Sequence, residues 1–132
     1  MRPTNTRRLG WALSALPVLF LLFDIVIKLM NTAPMVESFT RLGYRSDLGP
    51  AIGLLELICL AVYLVPRTSL LGAVLLTGYL GGAVATHLRV GNPLLTHMLF
   101  PVYVGALLWG GLLLRDAGVR ALVSPRGRAA IA

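Results

Sequence analysis

The sequence predicts an all-α integral membrane protein, a bundle of four transmembrane helices with a short interfacial helix in its first outer loop. Hydrophobic residues make up 57% of the chain and charged residues only 13%, which is a membrane composition. The apolar residues form blocks of about twenty, the length at which a helix crosses the hydrocarbon core. Short polar connections separate the blocks, so we expect a single membrane domain, residues 1–132.

The first apolar block and the long connection after it predict the first span and the interfacial helix. Residues 9–30 could imitate a signal peptide, but no small-residue cleavage pattern follows closely, so we expect a retained helix. After Pro34, apolar residues recur at helical spacing and predict a short amphipathic helix at the outer interface. These residues are Met35, Val36, Phe39 and Leu42. Glu37 and Arg41 are four residues apart and should pair on its water-facing side.

The other three spans follow one another through short turns. Residues 48–65 predict the second span and residues 70–88 the third, with a Pro-Arg-Thr-Ser turn between them that offers an N-cap hydroxyl. Residues 93–114 predict the fourth span, with Asn92 as the N-cap and Pro93 as the first helical residue.

Two glycines in the third span have the spacing of a helix-packing motif. Gly78 and Gly82 lie four residues apart, and small residues at this spacing let two helices approach closely. We therefore expect this face of the third span to pack against a neighbouring helix.

Basic residues are distributed unequally between the two ends of the predicted bundle. One end holds both termini and the turn between the second and third spans, with Arg2, Arg7, Arg8, Arg67, Arg115, Arg120, Arg126 and Arg128. The opposite end holds Lys28, Arg41, Arg45 and Arg89. The positive-inside rule places the more basic end in the cytoplasm, so we expect cytoplasmic N- and C-termini, with residues 115–132 as a cytoplasmic tail.

Charge and motif content narrow the classes of function. The net charge of +7 is spread over the termini and connections, so we expect lipid headgroups rather than nucleic acid as partners. Cys59 is the only cysteine, which excludes an intrachain disulfide and a CxxC pair. The two histidines, His87 and His97, carry no ligand motif, so we predict no metal site. No nucleotide or hydrolase fingerprint occurs, and we expect no intrinsic cofactor and identify no catalytic residue.

Ionisable residues within the predicted spans cluster in the outer half of the bundle. The candidate pocket consists of Asp24, Lys28, Glu56, Tyr79, His87, Arg89 and His97. An ionised acid at the bilayer centre costs about 2.5–3.5 kcal/mol, so Glu56 must be protonated, paired or next to a polar cavity. Two roles stay open. In the first, the pocket binds a ligand while Glu56 and His87 handle protons. In the second, Glu56 pairs with Lys28, Arg89 or a tyrosine hydroxyl and only stabilises the bundle.

Short motifs between about Trp11 and Asp116 carry a family resemblance. They are Glu56-Leu57, Pro66-Arg67-Thr68, Leu71-Gly72-Ala73, Thr77-Gly78-Tyr79-Leu80-Gly81-Gly82-Ala83, His87-x-Arg89 and Leu99-Phe100-Pro101. Together with Asp24 and Lys28 four residues apart, they resemble the DoxX-like family. The resemblance implies a small four-helix protein of the bacterial plasma (inner) membrane. It also implies an association with membrane redox complexes, because the wider group includes a subunit of a quinone-linked thiosulfate-oxidising system.

Two functional hypotheses follow from the pocket and the resemblance. The first is a quinone- or lipid-binding subunit of a membrane redox system, in which polar side chains of the pocket hydrogen-bond the two oxygens of a quinone head. The second is a non-enzymatic accessory or scaffold subunit whose polar residues stabilise the bundle and an interface. Under either hypothesis we expect a redox partner subunit or a homo-oligomer rather than a stand-alone enzyme.

Overall fold

The computed structural model describes residues 3–125, and these residues form helices and connections without a strand. The helices are α1 (Pro3–Leu29), α2 (Ala33–Arg41), α3 (Gly49–Leu64), α4 (Ser69–Arg89), α5 (Phe100–Arg115) and α6 (Ala117–Val123). A wider π-type helical turn, Leu94–Met98, precedes α5. The predicted all-α class is confirmed.

Three of the helical stretches are long and apolar enough to cross a membrane. They are Pro3–Leu29, Ser69–Arg89 and Leu94–Arg115. The second predicted span corresponds to α3, an apolar helix of 16 residues. Its length is about 24 Å at the helical rise of 1.5 Å per residue, which is less than the hydrocarbon core of about 30 Å. The described residues thus provide three clear candidate spans and a shorter apolar helix.

The fourth predicted span differs from the structure at its start. Instead of one α-helix from Pro93, the chain makes the π-type turn, in which the backbone N–H of Met98 bonds the Pro93 carbonyl five residues back. An α-helix then begins at Phe100, with Pro101 in its first turn. Proline has no N–H to donate and is best tolerated in a first turn, so the restart at Phe100 avoids losing a hydrogen bond in mid-helix.

The hydrophobic core lies between α1, α3, α4 and α5. Helix α1 packs along α5 and α3, and α4 packs against α3 and α5, so each of these helices contacts two neighbours. The core residues are Leu21, Ile25, Cys59, Leu60, Tyr63, Ala73, Leu76, Leu80, Val104, Leu108, Leu112 and Val119. Large apolar side chains on the outer surface, such as Leu16 and Phe23, remain well exposed. An apolar exterior of this extent suits lipid rather than water.

Glycines allow the closest helix contacts, but they are not the predicted pair. A Cβ at Gly72 would overlap the backbone of Tyr63 on α3, and a Cβ at Gly111 would overlap the Ser14 hydroxyl on α1. At Gly10 the added atom would lie 2.6 Å from the backbone nitrogen of Arg115. These contacts fix the approach of α4 to α3 and of α1 to α5.

The prediction that Gly78 and Gly82 pack against a neighbouring helix is wrong within this chain. Among the described residues, no atom lies within 4 Å of a Cβ built at either position. The small-residue spacing permits a close approach but does not say which face of α4 points towards another helix. Both glycines instead border the cavity described below.

The two ends of the helix assembly differ in structure. What we call the loop end contains the C-terminus of α1, α2, the N-terminus of α3 and the C-terminus of α4. There Phe39 of α2 is buried, and Arg89 donates to the Leu42 carbonyl oxygen. The predicted ion pair between Glu37 and Arg41 is present and exposed. The connection that follows α2 is therefore tied to the end of α4 by the Arg89 hydrogen bond, and the Phe39 ring packs against Tyr44 of that connection.

The opposite end, which we call the terminal end, contains the N-terminus of α1, the α3–α4 turn and the C-terminus of α5. Helix α6 begins there, and the Asp116 carboxylate caps it by accepting a hydrogen bond from the Val119 N–H at 3.0 Å. The predicted cytoplasmic tail thus starts with a short helix. The remainder of that tail, with Arg126 and Arg128, lies outside the described residues, as does Arg2.

Candidate functional site

A buried polar cluster joins α1, α3 and α4 in the half of the core nearer the loop end. The Lys28 Nζ donates to Glu56 Oε2 at 2.7 Å, to the Tyr79 hydroxyl at 2.6 Å and to the Asp24 carboxylate. The Tyr79 hydroxyl in turn donates to Glu56 Oε2 at 2.8 Å. We call these four residues the Lys28 cluster. Since an ammonium group has three N–H donors, every donor of Lys28 is used.

Local sequence explains how these groups come together. Asp24 and Lys28 are four residues apart on α1 and therefore share one helix face. Gly53 on α3 lets α1 approach, because a Cβ at that position would lie 2.8 Å from the Lys28 Cβ. Glu56 follows Gly53 by three residues and projects from the same face of α3. A missing side chain on α3 thus brings lysine and glutamate within range of an ion pair.

Burial makes the cluster sensitive to the loss of any partner. The Glu56 side chain is 0% exposed, that of Lys28 is 10% exposed and that of Asp24 is 28% exposed. Buried charges are tolerated only when they are paired and hydrogen-bonded. The Glu56 Oε1 is buried and has no hydrogen-bond partner among the described residues.

A cavity of about 750 Å³ opens beside the Lys28 cluster. Apolar side chains from all five helices α1 to α5 form most of its lining, and the bare backbone at Gly78 and Gly82 widens it. Asp24, Lys28 and Tyr79 form one polar wall. Ligand pockets of proteins have volumes of roughly 300–1,000 Å³ with a few polar groups in an apolar lining. This cavity has the size and chemistry of such a pocket.

The structure separates the seven predicted pocket residues into two groups. The cavity is lined by Asp24, Lys28, Tyr79 and His87. Glu56 belongs to the cluster but lies behind it, so it acts on the cavity only through its neighbours. Arg89 and His97 do not line the cavity, which corrects the prediction that they do. Arg89 donates to the Leu42 carbonyl, and the His97 Nδ1 lies 2.8 Å from the Thr96 hydroxyl.

The two histidines approach each other at the loop end. The ring centroids of His87 and His97 are 5.8 Å apart, and the His87 Nδ1 lies 2.8 Å from the Asn92 side-chain nitrogen. Within residues 3–125, no group of three His, Cys, Asp or Glu side chains is placed to hold a metal ion. His87 lines the cavity with its Nδ1 next to Asn92, so this residue is the histidine that a ligand in the cavity can contact.

The connection between α2 and α3 contributes an exposed charge pair and one hydroxyl near the cavity. Arg45 donates to both carboxylate oxygens of Asp47, from Nε at 3.0 Å and from Nη2 at 2.8 Å. This paired hydrogen bonding lowers the pKa of Asp47. The Tyr44 hydroxyl lies 2.6 Å from that of Thr86, and both residues line the cavity. The loop thus closes the cavity at the loop end.

A second polar site, which no motif in the sequence indicates, lies at the terminal end. The buried Tyr63 hydroxyl donates to the Leu108 carbonyl at 2.8 Å and lies 3.1 Å from the Ser14 hydroxyl. The Arg115 guanidinium sits over two rings, 4.8 Å from the centroid of Tyr63 and 4.1 Å from that of Trp11. The signal in the sequence that could have indicated this site is the Ser14 hydroxyl inside the first predicted span. Arg115 gave no such signal, because the positive-inside rule alone explains a basic residue at that position.

Replacing Tyr79 by Phe should destabilise the protein by about 1–3 kcal/mol, because a buried Lys28 proton and a Glu56 oxygen each lose a partner. The measurement is the free energy of unfolding by SDS titration in mixed micelles. Tyr103→Phe is the matched control, since Tyr103 is 46% exposed and outside the cluster. Equal stability of the two variants would show that the Tyr79 hydroxyl does not hold the cluster together.

Comparison with known proteins gives one match. The model of the DoxX-like family matches residues 12–111, which include α2, α3, α4 and most of α1 and α5. The resemblance seen in the motifs of the sequence is therefore confirmed. No curated protein and no solved structure matches the chain.

Proposed function

We propose, from the premise that this chain belongs to the DoxX-like family, that it binds a quinone-like or other lipid-soluble molecule in the cavity beside the Lys28 cluster. Family membership and the apolar helices indicate a membrane protein. In the proposed role the chain is a subunit of a membrane redox system and contributes binding and hydrogen bonding. Electron transfer then belongs to a partner subunit.

The proposal includes a four-span arrangement in the bacterial plasma membrane. Helix α3 would be the remaining span, since it is apolar and packs between α1 and α4. Apolar residues Leu48 and Val65 flank it and lengthen the hydrophobic stretch. Arg7, Arg8, Arg67, Arg115 and Arg120 of the described residues lie at the terminal end, which supports cytoplasmic termini. Helix α2 would then lie at the outer interface, and the cavity would open in the outer half of the membrane.

The observation that carries the proposal is a large apolar cavity with one polar wall. An isoprenoid or other apolar tail suits the apolar lining, and a polar head suits the wall formed by Asp24, Lys28 and Tyr79. The three Lys28 protons are already used within the chain. A bound head group is therefore expected to contact the partly exposed Asp24 carboxylate, which accepts a hydrogen bond from a quinol hydroxyl. The His87 Nε2 provides a second contact.

A pair of adjacent glycines allows a sharp test of the proposal. Gly82 lines the cavity and Gly81 does not, although neither has an atom within 4 Å of a built Cβ. Gly82→Leu should therefore fill the cavity, whereas Gly81→Leu adds the same side chain to the same helix outside it. We expect co-purifying quinone, extracted from the protein and measured by mass spectrometry, to fall about tenfold or more in Gly82→Leu only.

Two controls separate ligand binding from stability. Binding of a short-chain benzoquinone to the delipidated protein should show the same order of variants, and the thermal stability of both leucine variants should match that of the wild type. Asp24→Asn should weaken quinone binding as well. Full quinone retention in Gly82→Leu, or an equal loss in Gly81→Leu, would contradict the proposal.

The second candidate function is a non-enzymatic accessory or scaffold subunit, and the closed bonding of Lys28 favours it. A lysine whose three donors are satisfied inside the chain needs no ligand to be stable. This role predicts a partner protein or a second copy in stoichiometric amount, retained equally by the wild type and by Gly82→Leu. Extraction of phospholipid alone, together with such a partner, would favour this function over quinone binding.

A further inference from the structure

A second cavity, of about 370 Å³, lies at the terminal end, far along α1 from the Lys28 cluster. Its lining includes Arg7 and Trp11 from α1 and Arg115 from the end of α5, with Asp116 beside them. The Nε and Nη2 of Arg115 are buried and have no hydrogen-bond partner among the described residues. The half-buried Arg115 thus brings to the cavity a cation with two buried donors that no described residue uses.

The two unused donors of Arg115 are the pair that binds oxyanions. Nε and Nη2 lie on one edge of the planar guanidinium, and their N–H groups can donate hydrogen bonds to two oxygens of one anion at the same time. Arg45 of this chain shows the arrangement, with its Nε and Nη2 on the two oxygens of Asp47. On Arg115 no described residue bonds the same edge, although burial makes an unpaired donor costly. Contact with the rings of Trp11 and Tyr63 offsets part of the charge but does not replace the two acceptor oxygens.

No carboxylate of the described chain supplies these oxygens. Asp116 follows Arg115 directly, but its Oδ1 accepts from the Val119 N–H and no ion pair joins it to Arg115. Arg7 is exposed and adds a second positive charge to the same cavity. The occupant that these charges and donors suit is an anion with at least two oxygens that fits beside Trp11.

We propose that Arg115 and Arg7 bind a phosphate-type oxyanion in this cavity. Both a phospholipid headgroup and free phosphate provide this chemistry. The site is independent of the quinone proposal, because it lies at the other end of the helices and shares no lining residue with the larger cavity.

The test uses the full chain, delipidated in detergent, and four variants. Native mass spectrometry measures binding of phosphatidylglycerol and of diacylglycerol with the same acyl chains, which lacks the phosphate. Calorimetry measures binding of inorganic phosphate. Arg115→Lys keeps the charge but removes the two-donor edge, and Arg115→Gln removes both. Arg7→Gln removes the exposed cation of the site, and Arg8→Gln removes a neighbouring exposed charge that does not line the cavity.

We expect the wild type to bind phosphatidylglycerol in preference to diacylglycerol. Relative to the wild type, phosphatidylglycerol should bind about tenfold more weakly to Arg115→Lys and about fivefold more weakly to Arg7→Gln, whereas its binding to Arg8→Gln should be unchanged. Binding of inorganic phosphate with the same order of variants would instead identify free phosphate as the source of the oxyanion. Equal binding of the two lipids without phosphate binding, or Arg115→Lys and Arg7→Gln variants that bind as the wild type does, would overturn the proposal. Arg7→Gln keeps the test decisive if the Arg115 variants fail to fold, since Arg7 is exposed.

Discussion

Replacing Lys28 by Met should destabilise the folded protein by about 3–5 kcal/mol, the cost expected when one partner of a buried ion pair is removed. Methionine keeps the unbranched shape of the lysine stem, so the packing of α1 against Gly53 changes little. What changes is that Glu56, whose side chain is fully buried, and Asp24 lose the cation with which both of them pair. The free energy of unfolding by SDS titration in mixed micelles measures the effect.

Two further variants show whether the loss comes from charge. Arg41→Met also removes a cation that pairs with an acid four residues away in the same helix. That pair, Arg41 with Glu37 on α2, is exposed. That control should lose less than about 1 kcal/mol, since exposed ion pairs contribute little. The double variant Lys28→Met with Glu56→Gln should recover part of the loss, because it removes the buried charge left without a partner. A Lys28→Met variant as stable as Arg41→Met would show that the cluster is not an important source of stability.

The fold class and the cluster could be predicted because both depend on local sequence. Long apolar blocks and the breaks between them mark the helices, and Asp24 with Lys28 on one helix face follows from helical periodicity. Glu56 was recognisable as a residue that needs a partner, because an apolar helix does not tolerate a lone acid. The structure supplies that partner in Lys28, so the pairing left open for Glu56 is observed, whereas Glu56 does not line the cavity.

The predictions that were wrong concern the rotation of each helix about its own axis, which decides which of its faces contacts a neighbour. Spacing identifies Gly78 and Gly82 as small, but only the tertiary structure shows that they face a cavity while Gly72 and Gly111 face a neighbouring helix. In the same way, Arg89 has the correct depth for the pocket but is oriented towards the Leu42 carbonyl. The rotation of a uniformly apolar helix is set by packing, since no polar face indicates it.

The Arg115 site was not predictable for a related reason. A basic residue at the end of an apolar block is ordinarily explained by membrane topology, and its burial depends on side chains from other helices. Trp11 comes from α1 and Tyr63 from α3, so three helices must be assembled before the unpaired donors of Arg115 become visible. The burial of Arg115 depends on contacts between residues far apart in the sequence, and the sequence alone does not give these contacts.

Replacing Gly72 by Ala should give the second large loss of stability, about 3 kcal/mol, although it adds a single methyl group. Gly72 lies one turn after the tight α3–α4 connection, where the two helices are closest, and its Cβ would overlap the Cα and N of Tyr63. Backbone atoms cannot move aside as a flexible side chain can, so α3 and α4 must separate. That separation would disturb Tyr63, whose hydroxyl bonds the Leu108 carbonyl. SDS titration in mixed micelles measures the loss.

Gly78→Ala and Gly81→Ala are matched controls on the same helix, because no atom lies within 4 Å of a Cβ at either position. Alanine has the higher helix propensity, by about 1 kcal/mol in water, so these variants should be as stable as the wild type or more stable. The contrast between Gly72 and the two controls thus isolates helix contact from helix propensity. If Gly72→Ala were tolerated while Gly78→Ala was destabilising, the face of α4 that carries Gly78 and Gly82 would be the packing face after all, and α4 would be rotated from the orientation described here.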